Sequence, residues 1–374
     1  MRIGIVSPEF PPEKGGIQTY AIEYARELAR RGHDVTVFTQ PHAEGELAGE
    51  AFRIEPVLQL RRRLDRELAR QPIDVWHAMN ASYSWLARET APVFVTVHGN
   101  DFLQPYHPVA RLDLRPRLRL PFGSRFDRWL GDRLTRRVVG LSLPRAAHIF
   151  ANSHYTERRL LARHPRCRGK TSTALVGIAD EYFTAQRPPR SEGPTRFITI
   201  CRLAEPHKNV DLVLRALARL RDRFSFHYTI VGDGWLRPSL EKLADELELR
   251  ERVTFTGFLD REALRKLLPG SDLFVLTTSE TPVAYEGFGL VYLEANACGC
   301  PVLAARIAGA VEAVEEGVSG VFVDKPDVES IARQLARFLS GDLRFEAAAS
   351  VAFARQFSWA KVADHCLARY TLRS

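Results

Sequence analysis

The sequence predicts an α/β protein with two doubly wound parallel-sheet domains in tandem. Its 374 residues are enough for two domains of ordinary size. Short β-branched runs alternate with segments of helical periodicity, and unbroken apolar runs are typical of parallel strands covered on both faces. The pattern starts again after a Pro- and Arg-rich stretch at 186–194. We therefore expect one domain over residues 1–187 and a second over residues 195–358.

Five apolar runs in the first half are predicted strands. A helix is predicted between the first two, because Ile17–Arg31 places its apolar residues on one face. The strands are Ile3–Ser7, Val35–Thr39, Val75–Ala78, Val93–His98 and Ile149–Asn152.

The second half repeats this alternation with six strands and five helices. The predicted strands are Phe197–Cys201, Tyr228–Val231, Val253–Phe255, Leu273–Thr277, Pro301–Ala304 and Val321–Val323. The predicted helices are Val210–Arg223, Leu236–Leu247, Arg261–Leu268, Tyr292–Cys298 and Val328–Leu339. Ligands of such sheets bind beyond the carboxyl ends of the strands, so we expect the active site in the cleft between the two domains.

The apolar runs and the cysteines of the sequence predict the cellular compartment of the protein. No run of apolar residues approaches about 20, the length of a membrane-spanning helix. The apolar run at the start of the sequence is too short for a signal peptide. The sequence has five cysteines, an odd number, at irregular spacing. This favours reduced, mostly buried thiols over disulfides or a zinc site. We expect a cytoplasmic protein.

The net charge of +8 is concentrated in the first half. Residues 1–185 hold 28 Lys and Arg against 20 Asp and Glu, whereas residues 186–374 hold 25 of each. Within 111–145, ten arginines, among them Arg117, Arg119 and Arg125, face three acidic residues and are interleaved with aromatic residues such as Trp129. This suits an anionic membrane surface, a phosphorylated lipid or a nucleic acid. A solvated, Arg-rich helix face is the alternative.

Two motifs of the first half follow predicted strands. Gly15-Gly16 precedes a helix, where backbone N–H groups can meet a ligand phosphate, although any tight turn can also use two glycines. His98 stands at the end of a buried strand, followed closely by Asp101. A histidine there either forms structural hydrogen bonds or faces a ligand.

Two motifs of the second half suit an anionic, hydroxyl-rich ligand. Arg202 and Lys208 lie six residues apart across a Pro-containing turn and can converge on a diphosphate, or can be two exposed loop cations. Glu286 and Glu294 lie eight residues apart at a glycine-rich helix start, within about 80° of the same helix side. Their carboxylates can accept sugar hydroxyls, although acidic residues also favour a helix N-terminus in general.

Common cofactor motifs are missing from the sequence. No G-x-G-x-x-G follows the first strand, Gly169-Lys170-Thr171 lacks the first glycine of a phosphate-binding loop, and no metal-ligand spacing occurs. We therefore expect neither a cofactor nor a metal.

Five motifs together carry a resemblance to a known family. They are Gly15-Gly16-Ile17-Gln18, Arg202-x5-Lys208-Asn209, Val231-Gly-Asp-Gly234, Phe255-Thr-Gly-Phe258 and Glu286-Gly-Phe-Gly-x4-Glu294-Ala-x-Ala-Cys-Gly-x-Pro301. In this order the chain resembles the retaining glycosyltransferases of family 4, which have the GT-B fold. Val176-Gly-Ile-Ala-Asp180 departs from the Asn-Gly-Val-Asp that the family often has.

The resemblance implies a role for each of these residues toward a nucleotide-sugar donor. Arg202 and Lys208 would neutralise the diphosphate, and Glu294 would accept the ribose hydroxyls. Glu286 and His98 would contact the transferred sugar. Backbone groups would complete the site, with Gly16, Gly289, Leu290 and Val291 at the diphosphate and Leu259 at the base. A final helix over about 359–374 would cross back to the first domain.

The function expected from this resemblance is transfer of a hexose, with retention, from a UDP- or GDP-sugar. The expected acceptor is a saccharide or a lipid-linked molecule of a bacterial surface glycan such as lipopolysaccharide, reached from the inner face of the cytoplasmic membrane. A disaccharide-phosphate synthase or a phosphorylase-type enzyme of the same fold is the alternative. A nucleic-acid binder would leave the neutral second half and its two glutamates unexplained.

Overall fold

The computed structural model describes residues 1–12, 15–41, 49–105, 107, 109–110, 123–185, 187–188, 193–282 and 284–371, and only the backbone at 123–128. The described chain forms two compact units. The first unit comprises Met1–Gly177 and Trp359–Ser374, and the second comprises Ile178–Ser358.

The first unit is built on a seven-stranded parallel sheet with the order β3-β2-β1-β4-β5-β6-β7. Its strands are β1 (Arg2–Val6), β2 (Asp34–Phe38), β3 (Arg53–Glu55), β4 (Val75–Ala78), β5 (Val93–Val97), β6 (His148–Ala151) and β7 (Thr171–Thr173). Its helices are α1 (Gly16–Arg30), α2 (Gly123–Ser142), α3 (His154–Arg163) and, at the chain's end, α10 (Trp359–Thr371).

The second unit holds a six-stranded parallel sheet with the order β10-β9-β8-β11-β12-β13. Its strands are β8 (Thr195–Ile200), β9 (Phe226–Val231), β10 (Val253–Gly257), β11 (Leu273–Leu276), β12 (Val302–Ala305) and β13 (Gly320–Val323). Its helices are α4 (Val210–Ala218), α5 (Arg237–Glu246), α6 (Arg261–Leu267), α7 (Leu290–Ala297), α8 (Val328–Ser340) and α9 (Ala347–Ala354).

Helix α10 packs in the first unit, although the whole second unit precedes it in the chain. The Tyr370 hydroxyl lies 2.8 Å from the Tyr24 hydroxyl and 2.5 Å from Nδ1 of His77, and all three side chains are buried. Arg31 forms an ion pair with Asp364 on the outer side of the same helix. Buried polar contacts therefore tie α10 to α1 and β4.

The boundary between the units lies earlier than the Pro-rich stretch suggested. Ile178 donates a backbone hydrogen bond to Phe357, and Arg187 donates to the carbonyl of Gly299, so residues 178–187 belong with the second unit rather than the first. The predicted linker at 186–194 lies partly outside the described residues.

The predicted strands all occur, with ends shifted by at most two residues. Prediction missed β3, β7 and the helices α2, α3 and α9. It also made α4 too long, because the helix ends at Ala218 although the apolar spacing continues to Leu220. In the described ranges, no helix is both long enough and apolar enough to cross a bilayer.

Candidate functional site

The second unit places its candidate residues at the carboxyl ends of two neighbouring strands. The loop that carries Arg202 and Lys208 follows β8, and the segment from Glu286 to Glu294 follows β11. These two strands pair in the middle of the sheet, where the strand order reverses. A reversal of this kind opens a ligand-binding crevice beyond the strand ends in doubly wound sheets.

Asn209 anchors the loop that carries Lys208. Its backbone is left-handed (φ 57°), and its buried side-chain amide donates to the carbonyl of Thr277 at 2.6 Å and to Oγ of Ser279 at 2.7 Å. Ser279 also donates its N–H to the carbonyl of His207. The loop after β8 is therefore bound to the loop after β11. This anchoring role of Asn209 was not predicted, although the motif contains the residue.

The glycines of Val231-Gly-Asp-Gly234 permit a close approach between two backbones. A Cβ on Gly232 would lie 1.9 Å from the carbonyl oxygen of Cys201, and one on Gly234 would lie 2.3 Å from the carbonyl carbon of Leu203. Both glycines also have positive φ values. They allow this segment to pack closely against the loop that carries Arg202, so their contribution to the site is indirect.

Ion pairs connect the charged side chains of this loop with one another and with Glu286. The Lys208 ammonium lies 2.8 Å from the Glu286 carboxylate and 3.8 Å from Glu205, and Arg202 lies 3.4 Å from Glu205. Lys208 and Glu286 are mostly buried, whereas the Arg202 side chain is 59% exposed. Burial alone lowers the pKa of Lys208, but Glu286 and Glu205 more than offset it, and the pKa lies above its ordinary value. The Lys208 side chain is therefore protonated and positively charged at neutral pH.

Helix α7 begins with backbone N–H groups that have no acceptor in the described part of the chain. Gly289 precedes it with φ 95°, and a Cβ there would lie 2.3 Å from the Tyr292 ring, so the turn requires glycine. Within the described residues, the N–H groups of Leu290 and Val291 meet no acceptor. Such donors at a helix start favour an anion. Glu286 lies in the turn before this helix.

Glu294 lies in the second turn of α7 and is half-buried. Burial raises the pKa of Tyr182, a residue that the sequence did not single out, and the nearby negative charge of Glu294 raises it further. Leu259, the residue expected near a base, is half-buried between β10 and α6. Its neighbour Phe258 is 54% exposed.

Gly16 and His98 belong to the first unit. Gly16 is the first residue of α1, and a Cβ built on it meets nothing within 4 Å. His98 follows β5 and is 7% exposed, with its ring 4.7 Å from the Tyr20 ring in an edge-on arrangement. Its Nε2 has no hydrogen-bond partner in the described part of the chain. Burial lowers the pKa of His98 to about 3, so the imidazole is neutral.

The arginine-rich segment is only partly described. Arg117 and Arg119 lie outside the described residues, and so does the side chain of Arg125. Trp129 on α2 is 51% exposed, and Arg133 stacks over its ring at 5.6 Å. Further along, Arg136, Arg137 and Leu141 are also exposed, so one face of α2 combines basic and apolar side chains.

Comparisons with known proteins identify the family. Residues 14–180 match the family described as Glycosyltransferase Family 4, and residues 183–352 match Glycosyl transferases group 1. The chain is 30% identical to the GDP-mannose-dependent alpha-(1-6)-phosphatidylinositol monomannoside mannosyltransferase of Mycolicibacterium smegmatis, over 93% of this chain and 91% of that protein. This chain belongs to glycosyltransferase family 4. It is also 28% identical to the D-inositol 3-phosphate glycosyltransferase of the same organism, over 96% of this chain and 86% of that protein.

Solved structures show that this glycosyltransferase has the GT-B fold. The sucrose-phosphate synthase of Thermosynechococcus elongatus is 20% identical and superposes with a TM-score of 0.74, over 99% of this chain and 98% of that chain. The Anabaena protein HepE in complex with UDP is also 20% identical, with a TM-score of 0.75 over 98% of both chains. These likenesses confirm the predicted fold class, and the sequence comparisons above confirm membership of family 4.

Proposed function

We propose that this glycosyltransferase moves a hexosyl unit from a UDP- or GDP-sugar, with retention of configuration, to a saccharide or lipid-linked acceptor of a bacterial surface glycan. The observation that carries the proposal is the Lys208–Glu286 pair just before the open N–H groups of Leu290 and Val291. A cation after β8 and a carboxylate and two N–H donors after the neighbouring strand β11 match a sugar diphosphate, which offers hydroxyls at one end and phosphate oxygens at the other.

The comparisons support a nucleotide-sugar donor without selecting the base. HepE was solved with UDP and with UDP-glucose, whereas the mannosyltransferase relative is GDP-mannose-dependent by name. The names of two relatives also point to inositol-containing acceptors, one of them a phosphatidylinositol lipid. A lipid-linked acceptor fits the basic and aromatic face of α2.

In the proposed reaction, the bond between the sugar's anomeric carbon and the diphosphate oxygen breaks, and the diphosphate keeps the electron pair. Lys208, Arg202 and the N–H groups of Leu290 and Val291 stabilise the negative charge that develops there. The acceptor oxygen bonds to the anomeric carbon on the same face, and its proton passes to the leaving diphosphate. Glu286 accepts hydrogen bonds from sugar hydroxyls. Neutral His98 forms a hydrogen bond with the sugar through Nε2. These groups perform the transfer without a metal.

A panel of nucleoside diphosphates tests the donor. Binding to the folded state alone raises its stability by RT ln(1 + [L]/Kd), so UDP or GDP at about 100 times Kd adds about 2.7 kcal/mol. We expect one of the two to raise the Tm clearly and ribose 5-phosphate not to do so. No shift with any nucleoside diphosphate contradicts the proposal.

Substitution of Lys208 tests the diphosphate site. Lys208→Ala should lower kcat/KM by about 10²- to 10³-fold, as the loss of one preorganised donor does. Lys242→Ala is the matched control, because this exposed lysine of α5 also pairs with a glutamate in the same unit. Near-normal turnover of Lys208→Ala, at unchanged Tm, would refute this assignment.

A further inference from the structure

Asn209 joins the two loops that carry the groups proposed for the diphosphate and for the transferred sugar. Its side chain is 8% exposed, and its amide nitrogen donates to the carbonyl of Thr277 at 2.6 Å and to Oγ of Ser279 at 2.7 Å, both in the loop after β11. The N–H of Ser279 donates in the opposite direction, to the carbonyl of His207 at 2.7 Å. Three hydrogen bonds therefore join the loops through the residues on either side of Lys208.

The Asn209 side chain makes these contacts instead of capping the helix that it precedes. Asparagine directly before a helix commonly accepts a hydrogen bond from an N–H group of the first turn, and its backbone is usually extended. Asn209 precedes α4, but its side chain accepts no such bond and its backbone is left-handed, with φ 57°. The stability of α4 therefore does not explain the orientation of this amide, whereas the contact with the loop after β11 does.

The same two loops meet again where Lys208 contacts Glu286. The Lys208 ammonium lies 2.8 Å from the Glu286 carboxylate, and the Lys208 N–H donates to the carbonyl of Glu205 at 3.0 Å. The backbone of Lys208 is thus fixed by its own turn and by both of its neighbours. A displacement of about 1 Å at a reacting centre can lower a rate by about 100-fold. The hydrogen bonds of Asn209 therefore bear directly on the position of the ammonium.

We propose that Asn209 is a positioning residue that holds Lys208 where its ammonium meets the diphosphate of the donor. This inference rests on the proposed function, because Lys208 is assigned to the diphosphate there. Asn209 acts by binding the loop after β8 to the loop after β11, so that the cation is in place before the bond between sugar and phosphate breaks. Charges fixed in this way stabilise a transition state without reorganisation during the reaction.

The variant Asn209→Gly removes the amide and keeps the left-handed backbone, which glycine adopts without strain. We expect kcat/KM to fall by about tenfold, less than for Lys208→Ala, because Lys208 keeps its charge but is no longer fixed in place. Most of the change should be in kcat, as for an interaction that acts in the transition state. Glu248→Gly is the matched control, since Glu248 has nearly the same φ, 55°, and its exposed carboxylate pairs with Arg221. It should leave kcat and KM unchanged.

A double-mutant cycle separates positioning from a general structural effect. If Asn209 acts through Lys208, Asn209→Gly should change kcat/KM by less than about twofold in a Lys208→Ala background, whereas independent damage would be additive. Ser279→Ala is a milder second variant, because it removes one acceptor of the Asn209 amide and keeps the N–H that donates to His207. It should lower kcat/KM by about threefold, as the loss of one neutral hydrogen bond does, and only while Lys208 is present.

The outcomes distinguish this inference from the proposed function. Wild-type kcat/KM in Asn209→Gly, while Lys208→Ala is impaired, overturns the positioning role alone. Additive effects in the cycle overturn it as well. If Asn209→Gly does not fold, Ser279→Ala decides by the same two criteria. Near-normal turnover of Lys208→Ala at unchanged Tm overturns the proposed diphosphate site and the inference with it.

Discussion

The ammonium of Lys208 lies 2.8 Å from a carboxylate oxygen of Glu286, so the groups proposed for the diphosphate and for the transferred sugar contact each other. The two side chains are 14% and 13% exposed, and the pair is thus largely desolvated. Breaking such a pair leaves a buried charge without its partner, which is strongly unfavourable. A donor that binds here supplies new partners to both groups, with phosphate oxygens for Lys208 and sugar hydroxyls for Glu286.

This contact predicts a pH effect of Glu286→Gln. Burial lowers the pKa of Lys208, and the Glu286 carboxylate is the largest of the influences that raise it. Without that carboxylate the pKa of Lys208 falls, because burial then meets less opposition. The ammonium then loses its proton at lower pH, so affinity for UDP or GDP should decline earlier on the alkaline side than in the wild-type chain.

Titration of nucleotide affinity between about pH 7 and pH 10 checks this prediction. At pH 7 the variant should bind the nucleoside diphosphate at least as well as the wild type, because Lys208 is still charged and no longer neutralised, while sugar transfer falls. Glu316→Gln serves as the control, since Glu316 pairs with Arg306 at the surface of the same unit. Superimposable alkaline profiles of Glu286→Gln and wild type would contradict the electrostatic coupling.

A second prediction concerns Gly16. Alanine fits there sterically, because a Cβ meets nothing within 4 Å, and it favours a helix by about 0.5–1 kcal/mol over glycine. Gly16→Ala should therefore unfold at the same or a slightly higher temperature. Its KM for the donor should nevertheless rise, because the added methyl occupies space that the diphosphate is proposed to approach.

Gly140→Ala provides the comparison for Gly16→Ala. Gly140 lies inside α2 of the same unit, and a Cβ there makes only ordinary contact with the His164 ring at 3.5 Å. It should stabilise its helix to a similar degree and leave the donor KM unchanged. If Gly16→Ala behaves like Gly140→Ala in both measurements, the donor does not approach α1 closely.

The sequence predicts the strands of both sheets, but it does not predict the contacts between loops that are distant in the chain. The alternation of buried runs and amphipathic segments predicts strands such as β8 and β11, because burial on both faces imposes apolar residues. The edge strand β7 was missed, since Thr171–Thr173 contains no apolar residue. Gly287 and Gly289 predicted a helix start at this point, and α7 begins at Leu290.

The neighbours of Glu286 and Glu294 could not be predicted. Lys208 and Glu286 are 78 positions apart, and they meet because β8 and β11 are neighbours at the point where the strand order reverses. The buried Tyr182 lies near Glu294 because residues 178–187 fold with the second unit, whereas the Pro-rich stretch suggested a later boundary. Strand order and the exact domain boundary depend on tertiary packing, which periodicity does not encode.

A third prediction concerns stability in acid. Burial lowers the pKa of His98 to about 3, whereas an unfolded histidine titrates near 6.5. Between these values the unfolded chain binds the extra proton, so the free energy of unfolding should fall as the pH drops below about 6.5, by up to about 1.4 kcal/mol per pH unit for this residue. His77, whose pKa burial also lowers to about 3, adds a second contribution of the same sign.

Urea unfolding at pH 7 and pH 5 measures this effect. His98→Gln, which cannot be protonated, should lose less stability between the two pH values than the wild-type chain does. His227→Gln replaces a half-buried histidine of β9 that contacts Thr254; this control should keep the wild-type pH dependence. Equal acid destabilisation of His98→Gln and wild type would show that His98 is not held in the neutral form by burial.

A fourth prediction concerns the exposed face of α2. We expect this face to dock on an anionic bilayer, because Trp129 and Leu141 are half exposed beside three arginines, Arg133, Arg136 and Arg137. Each basic side chain near such a surface contributes about 1 kcal/mol, and this attraction falls off within a Debye length of about 10 Å at 0.1 M salt. Replacing the three arginines by glutamine should therefore reduce binding to phosphatidylserine-containing vesicles by about 100-fold.

Vesicle co-sedimentation provides the measurement, with and without anionic lipid and at low and high salt. The matched control replaces Arg158, Arg159 and Arg163 on α3, because it removes the same charge from another helix of the same unit. If the α2 face is the contact, the control keeps most of its binding and Trp129→Ser weakens it further without changing the salt dependence. Equal losses from both triple variants would mean that overall charge alone attracts the chain. No binding to anionic vesicles would leave the α2 arginines as a solvated face and favour a soluble acceptor, because a lipid-linked acceptor requires the enzyme to reach the membrane surface.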